Sequence, residues 1–120
     1  MAVVATDMIM RLSGGAANAD VNASLGGKKS SVPVSFVSTI NNLFDNVSSA
    51  EATAGITDYR CIYLHNANAT DTINTVEIFV NSDTPSPTTK VQIGLDPAGI
   101  GNGDTTGEAV TIATETDAPV

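Results

Sequence analysis

A chain of 120 residues with 13 acidic and 5 basic side chains, a net charge of −8 and one cysteine already excludes much. The length allows one domain around one modest core. The acidic balance disfavours nucleic-acid binding, and a lone Cys61 leaves no intramolecular disulfide framework.

Trp is absent, with 2 Tyr and 3 Phe, so Ala, Val and Ile carry the apolar load and each core contact is small. A chain of this kind gains from oligomerisation when disulfides and metals are missing. Ser and Thr number 25, Asn 10 and Gly 10, a bias toward pleated surfaces and turns. Residues 1–120 therefore read as a single mainly β domain, a small antiparallel β-sandwich or barrel. One short helix and a long extended N-terminal arm or loop are expected within it.

Along the chain, residues 2–12 alternate loosely, with Met8, Met10 and Leu12 on one face and Ile9 and Arg11 on the other. The start carries Asp7 and lacks a basic region, which argues against a signal peptide. No run approaches the roughly 20 apolar residues of a spanning helix. Residues 13–31, SGGAANADVNASLGGKKSS, hold two Gly-Gly pairs and no period. Such a stretch is either a flexible surface loop or an arm that orders against a neighbouring subunit. Its Lys28-Lys29 doublet is either a solvated pair or a contact for an acidic partner.

Residues 32–37 make a short strand, confined by Pro33 to an edge or a start. Val37, Ile40, Leu43, Phe44 and Val47 have helical spacing, which predicts a short helix over residues 38–47. Ser49, with Glu51 nearby, can start a further turn that Gly55 ends. The best strand is residues 58–66, DYRCIYLHN, with Tyr59, Cys61, Tyr63 and His65 on one face and Arg60, Ile62, Leu64 and Asn66 on the other. Apolar members on both faces make it central or doubly covered. After a turn, residues 72–81 give a strand expected to close a hairpin with it. Residues 88–95 and 108–115 are the last two strands, separated by the glycine-rich loop 96–107.

Chemistry is sparse. His65 and Cys61 share a face but lie about 13 Å apart at strand spacing, too far to share a proton. The segment around Gly99, Gly101 and Gly103 has no following lysine or helix and matches no phosphate loop. Asp96, Asn102 and Asp104 offer oxygens to calcium without matching an EF-hand, and zinc is excluded with one Cys and one His. The glycosylation-like triplets at Asn22, Asn46 and Asn68 occur at about the number this composition gives by chance. No catalytic residue, cofactor or metal is therefore assigned, and no enzyme is expected.

Four segments carry a resemblance: RLSGGAANADVNASLGG (11–27), INNLFDNVS (40–48), DYRCIYLHN (58–66) and IGLDPAGIGNG (93–103). In these the chain resembles small virion structural proteins of tailed bacteriophages. Similar members run on with further strand-like sequence where this chain stops. The expectation is either a shorter member or strands beyond Val120. The resemblance implies a capsid decoration (cement) protein made in the host cytoplasm and placed on the capsid exterior. Its partners would be the major capsid protein and copies of itself, as a homotrimer, with no nucleic acid and no membrane. A neck or tail component is the alternative. A host-receptor or carbohydrate-binding module is disfavoured by the scarcity of aromatics. Expected interface residues are Arg11, Ser13, Asn18, Asn22, Leu25, Lys28 and Lys29 in the first stretch and Asp96, Ile100 and Asn102 in the glycine-rich loop.

Overall fold

The computed structural model describes residues 4–34, 42–79, 91–95 and 112–119. Its sheet is antiparallel and two-stranded among the described residues. β1, Met8–Leu12, pairs with β2, Ile62–Asn66, from Met8 opposite Asn66 to Leu12 opposite Ile62. The register keeps the alternation read from the sequence: Ile9 and Arg11 lie opposite His65 and Tyr63 on one face, Met10 and Leu12 opposite Leu64 and Ile62 on the other.

The second edge of β1 is also occupied. Residues 30–34 run antiparallel along it, with a bridge between Arg11 and Pro33. The Ser30 and Val34 amides donate to the Leu12 and Met10 carbonyls, and the Leu12 amide donates to the Val32 carbonyl. Pro33, without an amide proton, sits between the two donating positions, the place an edge segment tolerates it. Among the described residues, the strand with neighbours on both edges is thus β1.

Among the described residues one α-helix forms, α1, Ser49–Ala54. The Ser48 hydroxyl accepts from the Glu51 amide at 3.2 Å, and the Glu51 carboxylate accepts from the Ser48 amide at 2.7 Å. This reciprocal capping box satisfies two of the free amides at the start. Gly55, at φ 72°, ends the helix in the left-handed conformation with its amide on the Glu51 carbonyl.

The helix expected over residues 38–47 is absent from its described part, residues 42–47. The Leu43 carbonyl, which a helix would give to Val47, accepts instead from Arg60 Nε at 3.0 Å. The expected hairpin partner of β2 is not a strand over residues 72–79. Thr75 stands at φ 56°, a conformation that breaks the pleat and that β-branched residues rarely adopt. Before it, Asn66 and Asn68 wind the chain into a side-chain-held turn, with the Asn68 carbonyl oxygen accepting from the Thr70 and Asp71 amides. Residues 91–95 and 112–119 are likewise not strands. Parts of four expected strands (residues 35–37, 80–81, 88–90 and 108–111), residues 38–41 of the expected helix and the whole loop 96–107 lie outside the described residues.

Among the described residues the buried apolar side chains are Leu12, Val34 and Ile112. Leu12 ends β1, Val34 flanks it, and the Ile112 amide joins the Leu25 carbonyl at 3.2 Å. Among the described residues this core is thin, and polar groups take over much of the holding.

Candidate protein-binding surface

The stretch 13–31 is folded onto its own chain. It neither projects as an extended arm nor lacks structure, and serines are the reason. Ser13, Ser24 and Ser30 are fully buried. The Ser13 and Ser24 hydroxyls each lie 2.6 Å from the Cys61 carbonyl and 3.2 Å from one another. Each hydroxyl has a single proton. When both protons go to Cys61, the hydroxyls still accept, Ser24 Oγ from the Ser13 amide and Ser13 Oγ from the Gly26 amide, each at 2.9 Å. The Cys61 amide closes the knot on the Ser24 carbonyl at 2.8 Å. Buried hydroxyls with partners of this kind avoid the desolvation penalty that would otherwise unfold the loop.

Tight backbone turns complete it. Gly14 has φ 92°, and a Cβ there would lie 2.1 Å from the Ala23 carbonyl oxygen. Only glycine fits. Asn18 donates from Nδ2 to the Ser13 and Asp20 carbonyls, and the Ser30 hydroxyl donates to the Asn18 carbonyl at 2.6 Å. The Tyr63 hydroxyl donates to the Gly27 carbonyl.

The loop covers the Arg11–Tyr63–His65 face of the sheet and leaves cations there. Lys29 Nζ is 3.0 Å from His65 Nδ1. An ammonium has no lone pair, so in this contact lysine is the donor and the ring nitrogen the acceptor. Arg11 Nε is buried with no hydrogen-bond partner. An unmet buried donor costs about 1–3 kcal/mol.

A second centre forms around Arg60, whose side chain is 1% exposed. Its Nε donates to Leu43, Nη1 to the Tyr59 carbonyl, and Nη2 to Asn22 Oδ1 at 2.8 Å and Glu115 Oε2 at 2.9 Å. The guanidinium also lies 5.2 Å from the Phe44 ring centroid. Asp45, Asp58 and Glu115 bring carboxylate oxygens within 4.8 Å of one another beside it. Burial, then the Glu115 charge, raises the Asp58 pKa, against the opposing pull of Arg60. A hard cation accepts oxygens at such spacing, but Arg60 already supplies positive charge to Glu115.

The expected interface residues separate accordingly. Ser13 is fully buried and spent on internal bonds, so it offers no surface. Asn18 holds the loop, Asn22 accepts from Arg60, and Leu25 gives its carbonyl to Ile112. Arg11, Lys28 and Lys29 remain as charged groups of the loop-covered face. Asp96, Ile100 and Asn102, with the calcium reading at Asp104, lie outside the described residues. Sequence reasoning missed Ser24, Ser30, Arg60 and Glu115. For Arg60 a signal existed, an arginine in phase with Ile62 and Leu64 on an apolar face.

A different surface is apolar. Val76, Ile78, Phe79, Ile93 and Leu95 are exposed and, with Leu64, line one groove. Phe79 is 71% and Leu95 89% exposed. Among the described residues, no helix is long and apolar enough to cross a membrane. No protein family matches the chain, no curated protein matches it, and no solved structure matches it.

Proposed function

We propose that the protein is a non-enzymatic structural component of a tailed-phage virion. In this reading it is a capsid decoration protein that bridges capsomers from the outside as a small β-sandwich or barrel, acting with the major capsid protein and copies of itself as a trimer. The observation that carries a binding role is the groove of exposed apolar side chains at Val76–Phe79 and Ile93–Leu95. Contiguous exposed apolar surface of this kind marks a protein contact. The composition, without Trp and with few other aromatics, supports the same reading, because a partner surface adds burial to small core contacts. The phage setting rests on the resemblance of the four segments.

The test is virion occupancy. Copies per particle are counted by quantitative mass spectrometry for particles assembled with the native chain and with Phe79→Ser plus Leu95→Ser. A decoration protein is present in proportion to capsomers and is lost with the double variant. A few copies per particle would favour the neck or tail reading, and absence from purified particles would overturn a virion role.

A further inference from the structure

Of the five lysines and arginines in this acidic chain, Arg11 and Lys29 lie with the only histidine at one face of the sheet, and Lys28 adjoins Lys29 in the covering loop. The strand register places Arg11 opposite Tyr63 and Ile9 opposite His65, so Arg11 and His65 are diagonal neighbours on that face. Lys29 reaches His65 from the covering loop at 3.0 Å, and Lys28 precedes it, half-buried, with its carbonyl held by the Gly15 amide. None of Arg11, Lys28 and Lys29 pairs with a carboxylate among the described residues. Arg11 Nε is in addition a buried donor without an acceptor. These three cations are therefore left without an anionic partner among the described residues.

The same chain has the opposite excess elsewhere. Asp45, Asp58 and Glu115 crowd their oxygens within 4.8 Å, Asp45 is exposed, and the salt bridge there, from Arg60, goes to Glu115. Asp58 precedes His65 by seven residues, up to about 23 Å of extended chain. No salt bridge joins the two groups within one molecule among the described residues. Between molecules they are complementary, on a chain whose net charge of −8 makes other approaches repulsive.

We propose that the face of Arg11, Lys28, Lys29 and His65 docks the acidic corner of Asp45, Asp58 and Glu115 from a second copy of this chain. The contact is heterologous, head to tail. Repeated with a rotation that closes, it makes a ring, and without closure a filament. Charge supplies register and encounter rate here, while apolar surface remains free for another partner.

This names the self-contact of the assembly proposed above, yet it rests on charge placement alone and is tested on the purified chain. Sedimentation velocity is run on the native chain, on Lys28→Glu plus Lys29→Glu, on Lys28→Glu alone and on Asp45→Lys. Circular dichroism shows that each is folded. The native chain is expected to associate at low salt and dissociate at high salt. Each folded variant should associate at least about tenfold more weakly. An equimolar mixture of the Lys28→Glu and Asp45→Lys variants should form a heterodimer, because each retains the face the other lacks. A native chain that stays monomeric, variants that associate like the native chain, or a mixture without heterodimer would each overturn the proposal. Loss of capsid occupancy with self-association intact would instead count against the virion reading.

Discussion

Ser13 and Ser24 point their hydroxyls at one acceptor, the carbonyl of Cys61, each at 2.6 Å. Two residues of the N-terminal loop thereby fasten it to the residue that leads into β2. Replacing Ser13 by alanine strands the Gly26 amide, and replacing Ser24 strands the Ser13 amide. Each change is expected to lower unfolding free energy by about 1–3 kcal/mol. The double variant should lose less than the sum, since the two share a carbonyl and a contact. A urea-denaturation double-mutant cycle reads the coupling, and full additivity would show that the two bonds are independent.

Gly14 and Gly15 separate steric from conformational need. Both have positive φ, but only at Gly14 does a Cβ meet a backbone oxygen. Gly14→Ala is expected to cost roughly 3 kcal/mol or more, combining strain and overlap. Gly15→Ala should cost about 1 kcal/mol, for φ alone. Equal losses in thermal melts would contradict this geometry.

Arg60 ties residues 22, 43, 59 and 115 together through one guanidinium. Arg60→Met keeps the volume and is expected to lose about 3 kcal/mol. It should also free the C-terminal residues 112–119, seen as faster cleavage there in limited proteolysis. Arg60→Lys keeps the charge but not the fork, and should resemble Met more than the native chain. Native-like protection in Arg60→Met would show that the backbone bonds of Ile112 and Glu115, to Leu25 and Tyr59, hold that segment without it.

Two carboxylates give stability opposite pH dependences. Asp58 has a raised pKa, from burial first and Glu115 second. Its ionised form is disfavoured by folding, so this group adds stability as pH falls through its folded pKa toward the ordinary value of 3.8. Asp7 has a lowered pKa, from the Val4 amide first and Asn68 second. Its contribution is present above 3.8 and lost as pH falls through its lower folded pKa. Asp58→Asn should therefore stabilise the neutral protein and lose that advantage in acid, whereas Asp7→Asn should destabilise it at neutral pH. Melting temperatures across pH 3 to 8 check both signs, and parallel curves for Asp58→Asn and the native chain would rule out the Asp58 effect.

Local signals were legible where the chain's own chemistry decides structure. The alternation around Arg11 and His65 survives in the sheet, and Ser48, Glu51 and Gly55 bound the helix near where Ser49, Glu51 and Gly55 were read. Partner choice was not legible. The pleat of residues 58–66 says which side chains share a face, but not that its neighbour is Met8–Leu12, 58 positions away at its far end. The helical spacing of Val37 to Val47 yielded at its described end to a distant arginine that claims a carbonyl. The Gly/Asn/Ser stretch read as an arm because no period marks a loop held by buried hydroxyls. Its charged residues kept their place among the candidates, while Ser13 moved inside.

The placement of β1 between residues 30–34 and β2 also sets an order of events during synthesis. One edge of β1 finds its mate as soon as the first 34 residues have left the ribosome, by closing a short loop. The other waits until Asn66 has emerged, and the Arg60 clamp waits for Glu115. Short-range closure precedes long-range closure in entropic cost as well as in time. The nascent chain thus exposes one unfilled strand edge for an interval that ends only with the middle of the sequence. The lysine pair in the loop already folded gives every growing chain the same positive charge, which discourages two of them from joining at that edge.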